Sequence, residues 1–279
     1  MQPTIYLLNE QGPSQMMGYI IQSSMGKLAV IDGGTKDDAQ ALLDTLIRLG
    51  GESPEIEFWL FTHPHTDHLD AMFEIFSHPH PLRVKKMYSC FMPVEFYIEN
   101  KYEGDTCDFT AQNYLNFTAA HPGLCETFEK GMTLSMDDVS FHVLHTPDTS
   151  FTREVGNNTS VVFRMDAAGQ RILFTGDLAA EAGDRVLETV PAEEIRADFV
   201  QMAHHGQNGV FKSFYEAVSP KACLWNTPVW LWNNDCGGGV NSGPWLTLEV
   251  RAWMDDLGIR HHFISKDGFQ SISLPFDFG

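Results

Sequence analysis

Basic residues are scarce in this chain. Lys and Arg total 18 against 37 Asp and Glu, a net charge of −19. A surface this acidic repels a phosphate backbone, so long nucleic acid is not an expected partner, and no Lys/Arg cluster appears beyond Arg83, Lys85 and Lys86. The five cysteines (Cys90, Cys107, Cys125, Cys223, Cys236) are an odd number, widely spaced and without a CxxC pair. That argues against a disulfide framework and fits free thiols in a reducing cytoplasm, the expected compartment. No run approaches the roughly 20 uninterrupted apolar residues of a membrane helix. The opening MQPTIYLLNEQGPS has neither a basic start nor a long apolar segment, so no signal peptide is expected. Repeats and low-complexity tracts are absent as well. What remains is ordinary globular composition, 43% hydrophobic and 20% charged over 279 residues, enough to bury a sizeable core.

Periodicity organises that core. Residues 4–8, 18–23 and 27–32 read as strands, the last ending at the turn Asp32-Gly33-Gly34. In 36–50, Ala39, Leu42, Leu43, Leu46 and Leu49 fall near helical spacing, and Gly50-Gly51 can end the helix. A strand is predicted over 56–61 and a helix over 69–76. The Phe- and Tyr-rich stretch 89–130 reads as a mostly helical insertion above the site. Strands are predicted again over 139–145, 160–166, 171–177, 198–203, 222–227, 260–265 and 269–274, with helices over 181–195, 210–218 and 246–258. No linker interrupts this alternation, so residues 1–279 are expected to form one domain of sheets covered by helices.

The segment 61-FTHPHTDHLDA-71 places three histidines and an aspartate within six residues, directly after an apolar strand. His63 and His65 are two apart on extended chain and can face the same way. Asp67 and His68 follow where the chain turns into a helix, and they aim at a neighbouring point. This spacing suits two adjacent metal positions, as in hydrolases whose paired ions activate a water. A histidine-rich surface loop is the alternative.

HPHTDH resembles the HxHxDH signature of the metallo-β-lactamase fold superfamily. The resemblance implies an α/β fold, the αββα four-layer sandwich, with a metal site on loops at one edge of the sheets. It also directs attention to later strand ends. The strand closing in 175-TGD-177 is similar to that of the family's bridging aspartate, which makes Asp177 the implied carboxylate between two ions. The strand entering 203-AHHG-206 resembles that of the last metal histidine. The implied ligand is His204, with His205 left to orient a substrate oxygen or act as acid; the reverse assignment stays open. The family's further histidine is missing, because 143-VLHTPDTS-150 has Thr149 where it would stand. The stretch 156-GNNTSVVFRM-165 with Thr-Gly-Asp and Ala-His-His-Gly resembles one branch, the hydrolase domain of the competence protein ComEC, and this likeness runs on through 219–274.

These resemblances imply two divalent cations, Zn or Mn, or one if the first position is weak. His63, His65, Asp67, His68, Asp177 and His204 are the expected ligands. Asn157, Asn158, water or substrate would take the vacant ligand place; His145 and Asp148 are spare strand-end groups. Asp67, Asp177 and His205 are the expected catalytic residues. Asp32 is expected to hydrogen-bond a ligand histidine from behind, with a simple turn residue as the alternative. His78 and His80 read as exposed loop residues and His261 and His262 as strand residues. Trp230 and Trp232 are a candidate substrate wall, with core packing as the alternative. The implied activity is a hydrolase using a metal-activated hydroxide on a small phosphodiester or phosphate ester. A carboxylic ester, lactone or thioester hydrolase, a ComEC-like nuclease and a non-catalytic metal-binding module are the alternatives. No membrane partner is expected.

Overall fold

A computed structural model describes residues Met1–Gly279. Fourteen strands run in chain order: β1 (Thr4–Leu7), β2 (Gly18–Gln22), β3 (Leu28–Asp32), β4 (Glu55–Leu60), β5 (Arg83–Ser89), β6 (Cys125–Thr127), β7 (Thr133–Met136), β8 (Val139–His145), β9 (Val162–Ala167), β10 (Gln170–Phe174), β11 (Phe199–Gln201), β12 (Ala222–Trp225), β13 (His261–Ile264) and β14 (Gln270–Ser273). They form two seven-stranded sheets, ordered β14-β1-β2-β3-β4-β5-β6 and β13-β12-β11-β10-β9-β8-β7.

The sequence dictates this stacking because many strands are apolar on both faces, as strands covered on both sides must be. In β2 and β3, Tyr19, Ile21, Ala29 and Ile31 point into the core between the sheets, where they meet Phe141, Phe163, Phe174 and Leu224. Their neighbours Ile20, Leu28 and Val30 point the other way, onto Leu42, Leu46, Leu69 and Met72 of the helices Ala39–Gly50 and Thr66–Phe76. In β12, Ala222 and Leu224 face the central core. Cys223 and Trp225 face Phe214, Val250 and Met254 on the outer helices of the second sheet. Three apolar layers therefore separate helix, sheet, sheet and helix, which is the αββα sandwich. No helix is long and apolar enough to cross a membrane.

Strand direction builds the site. β3, β4, β5 and β6 are mutually parallel, as are β10, β11, β12 and β13. The carboxyl ends of β3, β4, β10, β11 and β12 therefore lead into loops on one edge, where open α/β sheets place their ligands.

Three local readings differ from the pattern-based ones. The helix after the histidine cluster begins at Thr66, so Asp67 and His68 occupy its first turn. The predicted helix over 181–195 is two, Ala180–Thr189 and Ala192–Ile195, separated at Pro191, which has no amide hydrogen to continue the ladder. The strand β5, RVKKMYS, escaped detection because basic residues interrupt its apolar pattern. Its lysines are neutralised at the surface: Lys85 lies 2.7 Å from Glu55 and 2.9 Å from Glu57, and Lys86 lies 2.6 Å from Glu126.

Candidate metal centre

Four chain segments meet at the sheet edge. β3 ends on Asp32, which adopts the left-handed conformation (φ 54°). Its carboxylate accepts hydrogen bonds from the Thr62 amide and hydroxyl, both at 2.8 Å, and from His68 Nδ1 at 2.8 Å. This fixes the loop after β4 and turns His68 Nε2 forward. The second segment is the Thr66–Phe76 helix start, where Asp67 sits favourably near the positive end of the helix dipole. The third follows β10. Gln201 accepts from the Thr175 amide at 2.7 Å, and Ser160 Oγ accepts from the Asp177 amide at 3.1 Å. Gly176 (φ 54°) makes the turn between them, and a Cβ there would meet Thr62 Cβ at 2.8 Å. The fourth follows β11, where His204, His205 and Gly206 are all left-handed, with φ of 52°, 57° and 79°. That unusual turn drives the His205 ring inward. Its Nδ1 donates to the Asn226 carbonyl at 2.9 Å, leaving Nε2 to face the cluster.

The ligand atoms are spaced for cations. His205 Nε2 lies 3.2 Å from Asp67 Oδ2 and 3.4 Å from Asp177 Oδ2; His68 Nε2 lies 3.3 Å from Asp177 Oδ1. His63 Nε2 lies 3.0 Å from His65 Nδ1 and 3.8 Å from Asp177 Oδ2. Two atoms each about 2.1 Å from one tetrahedral ion would be about 3.4 Å apart. His68 Nε2, His205 Nε2 and Asp177 Oδ1 are all buried, and none has a well-formed hydrogen bond; they meet only one another and Asp67, at ion-pair distances. Buried polar atoms without partners are costly. Here they converge, so the residues fit divalent metal binding, in two adjoining groups: Asp67, His68, Asp177 and His205, and His63, His65 and Asp177.

A profile of the metallo-β-lactamase superfamily matches residues 12–222. The chain belongs to this superfamily. ComE operon protein 3 of Bacillus subtilis (strain 168) is 32% identical over 102 residues, which are 36% of this chain and 12% of that much longer protein. The match fits the ComEC-like branch. The superfamily fold is also seen in solved structures at low identity. The metallo-β-lactamase fold protein YhfI from Bacillus subtilis aligns with a TM-score of 0.54 at 12% identity, covering 97% of this chain and 100% of that one. Unliganded yeast PDE1 aligns with a TM-score of 0.55 at 13% identity, covering 98% and 100%. Superfamily membership together with the His/Asp groups supports a metal-dependent hydrolase.

Within this superfamily site, charge follows geometry. Burial alone would raise Asp177, but His205 and His68 hold its carboxyl well below the usual carboxylate range. Burial would lower His205, but the Asp177 and Asp67 carboxylates push it up to about 9. Burial likewise opposes charge on His68, yet Asp177 and Asp32 raise it well above the ordinary histidine value. His63 is driven well below that value by burial and by the His68 and His65 rings. The metal-free site thus holds protons on His68 and His205 that ligation through Nε2 must displace. Zinc loading at pH 7.5 is expected to release protons, those displaced from His68 and His205 among them, measured by calorimetry in buffers of different ionisation enthalpy; no buffer dependence would contradict this. The same shift sets a stability trend. A raised folded-state value stabilises the metal-free protein fully below about pH 6.5. That contribution is lost as pH rises through about 9, so the metal-free protein's Tm should fall across this window.

The two adjacent histidines are placed differently. His205, not the expected His204, joins Asp67, His68 and Asp177. His204 Nε2 stands 4.0 Å from Asp177 Oδ2 and 3.3 Å from Asn157 Nδ2. Its side chain is 16% exposed where that of His205 is 0% exposed, so His204 faces the open side. The physical reason is the left-handed turn, which rotates the second ring inward. Asn157 is placed beside the site with Oδ1 buried and unpartnered. Asn158 is not: its Nδ2 donates to the Arg153 carbonyl at 2.7 Å and its Oδ1 accepts from the Ala182 amide at 3.0 Å, a structural clamp.

Trp230 lines a cleft of about 330 Å³ with Pro13, Gln15, Thr66 and Asp67. Trp232 does not share it; its ring packs edge-on against Trp225 and under the Arg251 guanidinium at 4.0 Å. His145 packs on Phe151 away from the cluster, and burial lowers it to about 4. Asp148 is exposed and caps its own turn by accepting from the Ser150 amide. His78 pairs with Glu74 at the surface.

Sequence reasoning missed Asp105, whose Oδ1 lies 3.1 Å from His65 Nε2. It also missed Gln15, whose amide donates to Asp67 Oδ2 at 3.1 Å. No local motif marks either residue.

Proposed function

We propose that the chain is a metal-dependent hydrolase of small phosphodiesters or phosphate esters. His63, His65 and Asp177 would hold one divalent cation, and Asp67, His68, Asp177 and His205 the other. Zn or Mn suits this mixed imidazole–carboxylate set. Two such ions acidify a water toward neutral pH and polarise the scissile group. The single observation that carries the reading is the convergence of buried imidazole and carboxylate atoms, none with a well-formed hydrogen bond, at ligand spacing around Asp177.

The remaining chemistry belongs to the chain. Asp32 and the Asn226 carbonyl keep the Nε2 atoms of His68 and His205 turned forward. Asn157 Nδ2 donates to His204 Nε2, which carries no hydrogen while it does so; facing the open side, His204 would act there as a proton acceptor for a substrate or water hydroxyl. The cleft beside Asp67 would take the non-reacting part of the substrate, with Trp230 as one wall. No lysine or arginine lines it, and the Lys85–Lys86 pair is already neutralised, which supports a small substrate over a polynucleotide. The ComEC-like motifs and the local match to ComE operon protein 3 support phosphorus over carbon as the centre attacked. Five free cysteines support a reducing, cytoplasmic setting.

A panel of p-nitrophenyl phosphodiesters, phosphate monoesters and acyl esters, assayed with added Zn(II) or Mn(II), tests this reading. Turnover of a phosphoester, abolished by chelator and restored by metal, is expected. Turnover of acyl esters alone would overturn the substrate assignment.

A further inference from the structure

The loop joining the helices Val94–Asn100 and Cys107–Ala120 reaches the metal centre with one carboxylate. Asp105 is 5% exposed. Its Oδ1 accepts from the Cys107 amide at 2.9 Å and lies 3.1 Å from His65 Nε2, while its Oδ2 is buried without a partner. Resting on the two-cation reading above, we propose that Asp105 is a positioning residue: it fixes the His65 ring with Nδ1 toward the first cation, making the helical segment part of the metal centre.

Hydrogen counting carries the argument. A carboxylate only accepts, so the His65–Asp105 contact requires the hydrogen on His65 Nε2, which in the neutral imidazole that a metal ligand must be leaves Nδ1 bare. On the neighbouring ring, Thr62 Oγ1 donates to Asp32 at 2.8 Å and so accepts from His63 Nδ1 at 3.1 Å. His63 Nε2 is therefore bare too. Two bare lone pairs now face each other at 3.0 Å, with no hydrogen to share. A cation between them resolves that conflict, and Asp177 Oδ2, 3.8 Å from His63 Nε2, supplies the charge. Metal-bound histidines are commonly held this way by a carboxylate behind the ring. Asp32 does the same for His68 from β3. The two metal positions are thus braced from different parts of the chain, one from the sheet and one from the helical segment.

The brace is anchored. Tyr97 of the first helix hydrogen-bonds Thr159 at 3.0 Å, and Lys101 Nζ donates to the Asp105 carbonyl at 2.9 Å. Gly156 lies under the His65–Asp105 contact. A Cβ there would collide with His65 Nε2 and come within 3.1 Å of Asp105 Oδ2. The missing side chain makes room for the pair.

The test is zinc stoichiometry and affinity of the full chain, by elemental analysis and chelator competition. Asp105→Asn should weaken the first ion by about 10- to 100-fold while the second ion stays at wild-type affinity. Combined with His65→Ala it should add little to the His65→Ala loss. Gly156→Ala, which pushes the ring off its brace, should reproduce the selective loss and serves should the Asp105 variant fail to fold. Cys107→Ser should keep both ions; its losing one would instead place a cation among His65, Asp105 and Cys107 and overturn the proposal. Two ions at wild-type affinity in Asp105→Asn or Gly156→Ala would also overturn it. Wild-type protein that binds two zinc ions but hydrolyses nothing overturns the hydrolase reading and leaves this role standing. Wild-type protein that binds none overturns the cation reading and this role with it.

Discussion

Asp177→Asn is expected to lower kcat/KM by about a thousandfold, or about 4 kcal/mol of barrier. Within the two candidate groups the carboxylate faces His68 at 3.3 Å, His205 at 3.4 Å and His63 at 3.8 Å. No other acidic side chain belongs to both candidate groups. A neutral amide has one oxygen to offer and no charge to balance two cations. The loss should therefore appear in metal content as well as in rate, with fewer than two ions retained after dialysis. The fold should survive, because the backbone there is held by Ser160 and Gln201 and not by the carboxylate. Wild-type metal content and rate in this variant would mean that the cluster is only an ion-pair network.

The second large effect separates the adjacent histidines. His205→Ala should lose one ion and with it about a thousandfold in kcat/KM. His204→Ala should keep both ions and lose about a hundredfold in kcat, the range for a proton-transfer or hydrogen-bonding group. The contrast follows from their placement. His205 is fully buried, tied to Asn226 and aimed at Asp67 and Asp177, whereas His204 borders Asn157 and the open side. Paired metal analysis and kinetics on the two variants check it. If His204→Ala loses an ion and His205→Ala keeps two, the structural order is wrong and the motif-based order right.

Much of the fold could be read because apolar residues in β2, β3 and β12 continue on both faces, and only strands covered on both sides do that. The cluster after β4 was legible because its residues are local: four groups within six positions need only one turn of known geometry. The choice between His204 and His205 was not. It depends on consecutive left-handed residues, a conformation that non-glycine side chains rarely adopt and that no residue pattern here signals. Asp105 was hidden for a different reason. It lies 40 residues from His65, and only the packing of the helical segment brings the two together. Trp232 misled because tryptophans near a strand end look alike in sequence whether they wall a cleft or pack on Trp225.

Anomalous diffraction from crystals of the metal-loaded chain tests the central claim most directly. Two peaks are expected on either side of the Asp177 carboxylate, one against His63 and His65, the other against Asp67, His68 and His205. Saturating zinc or manganese that leaves no peak within bonding distance of Asp177 would contradict the account.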